Sequence, residues 1–128
     1  MKEILKSIRN NKFDTFLIIV VLIFYTINNL IIKSNTQGFI HEFFKCHFND
    51  LMAPVFMLSY TNILLGTRNL RLIKIQYIII FILVAGCVWE FVAPHLKHGS
   101  VTDINDLVCY IIGALIYAGL VNGKKKSY

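Results

Sequence analysis

The chain has 128 residues, of which 56% are hydrophobic and only 16% carry a charged side chain. A soluble domain usually has about a quarter of its residues charged, so this composition excludes an ordinary soluble domain and favours a membrane protein. The formal net charge is +6 at pH 7. The basic residues lie at the ends of apolar stretches and lack interleaved aromatic residues, which argues against a nucleic-acid partner and for membrane lipids.

Four apolar stretches follow one another, over about residues 14–33, 50–67, 74–94 and 104–123. A helix needs roughly 17–25 mostly apolar residues to cross the hydrocarbon core. A helix that is apolar on all sides is typical of a membrane span rather than of a soluble surface. The sequence therefore predicts an all-α fold: a polytopic four-transmembrane-helix bundle that forms one membrane domain over residues 1–128.

The connection between the first two predicted spans contains aromatic and aliphatic residues at helical spacing. These residues are Phe39, Ile40, Phe43, Phe44 and Phe48. The pattern predicts a short helix in the membrane interface, with its rings towards the lipid. The connection between the last two spans starts at Pro94, which we expect to end the third helix.

Basic residues predict the orientation of the chain. Ten of the 13 Lys and Arg residues fall at the N-terminus, between the second and third spans, or in the tail: Lys2, Lys6, Arg9, Lys12, Arg68, Arg71, Lys74, Lys124, Lys125 and Lys126. The positive-inside rule makes that side cytoplasmic, which places both termini inside (N-in/C-in). Because Asn-Asp-Leu recurs at residues 49–51 and 105–107, the chain is also compatible with a parallel repeat of two helical hairpins.

Carboxylates collect on the opposite, outer side. Asp50 opens the second span, Asp103 and Asp106 precede and open the fourth, and Glu90 lies near the end of the third. An ionisable residue at the membrane centre costs about 2.5–3.5 kcal/mol, and Glu90 therefore needs a partner or a wet cavity. If the three helices pack as neighbours, the acids line one polar pocket at the outer leaflet.

Helix capping is an equally open interpretation for three of these acids. Asp side chains at a helix start accept hydrogen bonds from unpaired N–H groups, which is worth ~1 kcal/mol, and they complement the helix dipole. Asn49 can cap the second span, with Asp50 beside it. Thr102 or Asp103 can cap the fourth span, with Asp106 completing a pair that resembles a capping box. Glu90 lies at the wrong helix end for this role.

Histidines on the same side raise the question of a metal ion. His47, His95 and His98 are weak candidates for ligands, because zinc sites need three or four ligands held in place by further contacts. The sequence contains no spacing such as His-Glu-x-x-His, and we expect His95 and His98 in a solvated loop. A divalent ion held between carboxylate oxygens stays a second option.

The last third of the chain carries a motif. Glu90 stands late in a helix, a loop follows, and then comes Asp103-x-x-Asp106-x-x-x-Tyr110-x-x-Gly113. This arrangement resembles the VanZ-like family of small bacterial membrane proteins, whose signature has Asn where this chain has Tyr110. The Arg usual in the family's loop is absent. The resemblance implies a four- or five-helix protein of the bacterial inner membrane, linked to glycopeptide resistance or envelope metabolism.

Our first functional hypothesis is a VanZ-like protein of the bacterial plasma membrane. It would bind, or modify by acid–base chemistry, a lipid-linked or cell-wall-type group at an outer-leaflet pocket. The expected site residues are Asp50, Glu90, Asp103 and Asp106. The sequence leaves open whether the protein is an enzyme.

The alternative hypothesis is a small non-enzymatic transporter or channel subunit, or a membrane scaffold, that acts as a homo-oligomer. Transport needs polar residues along a path across the whole membrane. The available residues are Asn28, Ser59, Asn62 and Glu90, and few of them lie at mid-depth.

Overall fold

The computed structural model describes residues 1–32, 37–96 and 104–126, with the backbone alone at residues 32, 43–46 and 125–126. The described residues form helices and no strand, so the predicted all-α fold is confirmed. The elements are α1 (Lys2–Asn10), α2 (Lys12–Ile27) with a π-helical turn (Asn28–Ile32), α3 (Phe39–Cys46), α4 (Phe48–Gly66), α5 (Ile75–Leu96) and α6 (Ile104–Lys126).

Three helices of the described chain are long and apolar enough to cross a membrane. They are Lys12–Ile31, Ile75–Leu96 and Ile104–Lys124, which correspond to the first, third and fourth predicted spans. The chain is therefore a multi-pass helical membrane protein. The second predicted span, α4, has 19 residues and is not among the three. Polar side chains interrupt it, among them Asn49, Asp50, Ser59 and Asn62.

α4 lies at the centre of the helical assembly. It packs against α2 on one side and against α6 on the other, while α5 packs against α6. The buried core consists of Leu17, Val21, Val55, Leu58, Ile78, Ile82, Tyr110, Ala114, Tyr117 and Ala118. Because protein surrounds α4 on two sides, its polar side chains can be satisfied by other helices. This position explains how a helix less apolar than its neighbours stays inside the assembly.

Small residues bring α6 close to α4 and α5. A Cβ atom at Gly113 would collide with the Leu51 carbonyl oxygen and approach Pro54 Cγ to 3.1 Å. A Cβ atom at Gly86 would lie 3.1 Å from the Tyr110 ring. Gly113 therefore allows α6 to pack closely against α4, whereas a Cβ atom added at Gly119 would meet nothing within 4 Å.

Helix α1 is an element that our sequence analysis did not predict. Its basic residues alternate with Ile4 and Leu5, whose side chains are exposed. The buried Ser7 hydroxyl donates a hydrogen bond of 2.6 Å to the carbonyl oxygen of Ile63 in α4. Gly66 leaves the room for this contact, because a Cβ atom there would collide with the Ser7 and Asn11 side chains. An amphipathic basic helix is thus fixed to the end of α4.

Two local expectations were wrong. α5 does not end before Pro94 but continues to Leu96. The missing N–H of a proline near a helix end frees only the carbonyl four residues earlier, so the last turn survives. His95 therefore lies in this turn, and its Nδ1 is 2.8 Å from the carbonyl oxygen of Phe91. At the start of α4, the N-cap residue is His47, which makes no side-chain capping hydrogen bond. Asn49 is therefore not the cap of this helix.

The short helix expected before α4 is present as α3. Phe39 and Ile40 in its first turn are exposed. An amphipathic helix that exposes apolar side chains is typical of a membrane interface.

Candidate functional site

The first turns of α4 and α6 converge on three polar side chains. His47, Asp50 and Asp106 each offer one ligand atom, and these atoms all lie within 4.8 Å of one another. His47 Nδ1 is 3.9 Å from Asp106 Oδ1. All three residues are half-buried. We call this group the His-Asp-Asp cluster.

The repeated Asn-Asp-Leu sequence explains the symmetry of the cluster. α4 begins at Phe48 and α6 at Ile104, so Asp50 and Asp106 are each the third residue of their helix. The partial positive charge of a helix start stabilises a carboxylate in the first turn. Close packing at Gly113 brings the two helix starts together. Each aspartate therefore complements its own helix and also faces the aspartate of the neighbouring helix.

Glu90 approaches the same end of the assembly from α5. It is only 9% exposed and follows Ile82 and Gly86 at four-residue spacing, on the face that packs against α6. Its carboxylate lies within electrostatic range of both Asp50 and Tyr110. Glu90 is thus the third acid near the cluster.

The other predicted site residues do not join this group. Asp103 and His98 lie outside the described residues. His95 is exposed on the last turn of α5, and it is not a member of the cluster. Of the three histidines that the sequence offered as metal ligands, His47 alone is placed with the acids in the described part of the chain.

A cavity of about 500 Å³ lies between α2, α4, α5 and α6, next to the cluster. Its wall is apolar and includes Val21, Met52, Phe56, Met57, Ile82 and Trp89. Asn49, Asp50 and Tyr110 also line it. Asp50 therefore belongs both to the cavity and to the His-Asp-Asp cluster. A long apolar wall that ends at a carboxylate is suited to an amphiphilic ligand.

The π-helical turn supports the edge of this cavity. Asn28 begins the turn and is fully buried. Its Nδ2 donates a hydrogen bond of 3.1 Å to Asn49 Oδ1, next to Asp50. π-helical turns inside helices occur frequently at functional sites. Here the turn links α2 to the start of α4.

A second polar group lies at the opposite ends of the same helices. Asp14 is fully buried, and its two oxygens accept hydrogen bonds from the Tyr117 hydroxyl at 2.6 Å and from Arg71 Nη2 at 3.1 Å. Asn62 donates to the Tyr117 oxygen and exchanges two hydrogen bonds with the backbone of Leu72. The four side chains connect α2, α4, the 67–74 connection and α6.

Sequence reasoning missed this group as a unit. The available signals were Asp14, a charged residue at the edge of an apolar stretch, and Asn62, a polar residue inside the second predicted span. None of its four side chains lines the cavity of about 500 Å³ next to the His-Asp-Asp cluster. Its pairing satisfies a buried carboxylate, which is costly to leave unpaired. We therefore assign it a structural role.

The fold and the site define a class: a multi-pass helical membrane protein that combines a His-Asp-Asp cluster with an adjoining apolar cavity. Comparison with protein-family models, with curated proteins and with solved structures found no match to this chain. The resemblance to VanZ-like proteins therefore rests on Glu90, Asp106, Gly113 and their spacing, together with Asp103.

Proposed function

We propose that this chain is a VanZ-like protein of the bacterial plasma membrane that binds a lipid-linked or cell-wall-type amphiphile at the outer leaflet. The observation that carries the proposal is the cavity of about 500 Å³ that is apolar along its wall and presents Asp50 beside the cluster. The apolar wall takes a hydrocarbon chain. The polar end takes the head group, beside the carboxylates of Asp50, Glu90 and Asp106.

The proposal includes α4 as a fourth membrane crossing. A helix of 19 residues is ~28 Å long, close to the thickness of the hydrocarbon core. Its packing between α2 and α6 supports this position. With four crossings both termini lie in the cytoplasm, and the outer cluster and the basic inner end follow the positive-inside rule. The hairpins α2–α4 and α5–α6 then form the two parallel repeats, each with Asn-Asp-Leu at its second helix.

The arrangement of buried polar residues favours binding over transport by a single chain. Polar groups occur near Asp50 at one end and near Asn62 at the other. Between them the packing is apolar, with Val55 and Leu58 of α4 and Ala114 of α6. Among the described residues of this layer, Ser59 is the fully buried polar side chain. A continuous hydrophilic path through one chain would need more such groups.

Native mass spectrometry of the purified protein tests the proposal. Ala85 lines the cavity, so Ala85→Phe should fill it and abolish co-purification of a bound amphiphile. Val84→Phe is the matched control, because Val84 precedes Ala85 in the same helix, is 59% exposed and does not line the cavity. Equal retention of the amphiphile by both variants, or none by the wild-type protein, would contradict the proposal.

A further inference from the structure

The His-Asp-Asp cluster has the donor chemistry of a metal site. One imidazole nitrogen and two carboxylate oxygens lie within 4.8 Å of one another. The centre of an equilateral triangle with sides of that length is about 2.8 Å from each corner. Metal–ligand distances run from about 2.0 Å for zinc to about 2.6 Å for calcium, so small side-chain rotations close the remaining gap.

Glu90 is the independent observation that points to a cation. It is nine-tenths buried, and it forms no hydrogen bond or ion pair with the residues that the structure describes. It lies within electrostatic range of Asp50. No Lys or Arg within residues 1–32, 37–96 and 104–126 pairs with Asp50, Glu90 or Asp106. Three partly or largely buried acids lie together at one end of the helical assembly, beside an apolar cavity. A positively charged ligand would stabilise them there.

The negative charge of the three carboxylates limits which head groups can bind at this end of the cavity. Three carboxylates repel an anionic phosphate unless a cation lies between them. A divalent ion would offset two of the three negative charges and offer its free coordination positions to phosphate oxygens. Three protein ligands with further positions open is the arrangement of metal sites that bind a substrate. Mixed nitrogen and oxygen donors suit Mn²⁺ and Zn²⁺.

We propose that His47, Asp50 and Asp106 bind one divalent transition-metal ion, Mn²⁺ or Zn²⁺, and that this ion holds the phosphate of an anionic lipid whose chain occupies the cavity. Glu90 is the neighbouring carboxylate, which adds a third negative charge near the ion. The lipid part of this inference rests on the proposed function, whereas the cation part stands on the cluster alone.

Mn²⁺ titration of the full chain, stripped of metal by a chelator, tests the cation part. Loss of the free-ion signal in electron paramagnetic resonance reports binding. We expect one saturable site, weakened about tenfold or more in His47→Gln, Asp50→Asn and Asp106→Asn. The matched controls His95→Gln and Glu42→Gln each remove one ionisable side chain that is not part of the cluster. Their affinity for Mn²⁺ should be within about twofold of that of wild type. Absence of saturable binding, or equal affinities in all five variants, would overturn the cation site in favour of a proton shared by Asp50 and Asp106.

A second measurement keeps the test valid if a cluster variant does not fold. The chain has four histidines, and a triple variant with Gln at positions 41, 95 and 98 retains only His47. Pulsed electron paramagnetic resonance of this variant should still show nitrogen coupling to bound Mn²⁺. Loss of the coupling would contradict the assignment of His47.

Lipid binding separates this inference from the proposed function. Phosphatidylglycerol retained by the Mn²⁺-loaded protein, and lost on chelation, would support the phosphate contact, and inorganic phosphate should not displace it at equal concentration. Displacement by inorganic phosphate would show that the ion selects free phosphate instead. If Mn²⁺ binds at the cluster while Ala85→Phe retains lipid, the proposed function fails and the cation site stands. If Ala85→Phe loses lipid while no variant changes the affinity for Mn²⁺, the cation site fails and the proposed function stands.

Discussion

The Tyr117 hydroxyl donates a hydrogen bond of 2.6 Å to Asp14 Oδ1, which joins α6 to α2 across a separation of 103 residues. Both side chains are fully buried. Removal of a partner leaves a buried polar group unsatisfied, at a cost of about 1–3 kcal/mol. Asp14 retains Arg71 as a second partner, but Arg71 is partly exposed and contacts only Oδ2 of the Asp14 carboxylate.

Tyr117→Phe should therefore lower the thermal stability of the protein in detergent by about 1–3 kcal/mol. Tyr60→Phe is the control, because Tyr60 is 51% exposed on α4. Circular dichroism during heating measures both. The structural role of this group is wrong if the two variants melt at the same temperature. Lipid retention should be unchanged in Tyr117→Phe, because Tyr117 lies at the opposite end of the helices from the cluster.

Gly113→Ala tests the close approach that brings the two aspartates together. The added Cβ would collide with the Leu51 carbonyl oxygen, and it should force α6 away from α4 at a cost of about 1–3 kcal/mol. Gly119→Ala is the control, since nothing lies within 4 Å of its added Cβ. Thermal melting of the two variants gives the comparison, and an unchanged melting temperature in Gly113→Ala would refute this crossing geometry.

Gly66→Ala tests the attachment of α1. The new methyl group would collide with Ser7 and Asn11, so α1 should detach and become accessible to trypsin at its basic residues. We expect faster cleavage within the first 12 residues in Gly66→Ala than in Gly123→Ala, whose added Cβ meets nothing within 4 Å. Limited proteolysis in lipid nanodiscs measures the rates. Equal rates would mean that Gly66 does not hold α1 in place.

Cysteine labelling tests whether α4 crosses the membrane. Gln37 and Leu70 are exposed before and after this helix. In a background without native cysteines, an impermeant thiol reagent added to intact cells should label Gln37→Cys and not Leu70→Cys. Labelling of both positions, or of neither, would place them on one side of the membrane and refute the four-span topology.

Sequence alone predicts the helices and part of the site, because both depend on local signals. Apolar length predicts the spans, and the repeated Asn-Asp-Leu predicts that Asp50 and Asp106 occupy equivalent helix starts. The convergence of these two residues depends on how closely α4 and α6 pack. The contact between Gly113 and Leu51 sets this distance, and it joins two helices that are separate in the sequence.

Other features are beyond local reasoning. The contact between Asp14 and Tyr117 joins residues that only the tertiary structure brings together. α1 has only nine residues, which is too few for a membrane span. Its basic residues therefore predicted the orientation of the chain but not a helix. Pro94 is a strong helix-stopping signal in general, but the chain continues as helix to Leu96 because only the last turn is affected.

The central claim is that one residue, Asp50, serves both the cavity and the cluster. Native mass spectrometry of Asp50→Asn, beside the control Glu42→Gln, tests it most directly, because the amide keeps the size of the side chain and removes its charge. We predict that wild type and Glu42→Gln carry a bound amphiphile and that Asp50→Asn has lost it while it keeps the same helical content. Full retention by Asp50→Asn would contradict the claim.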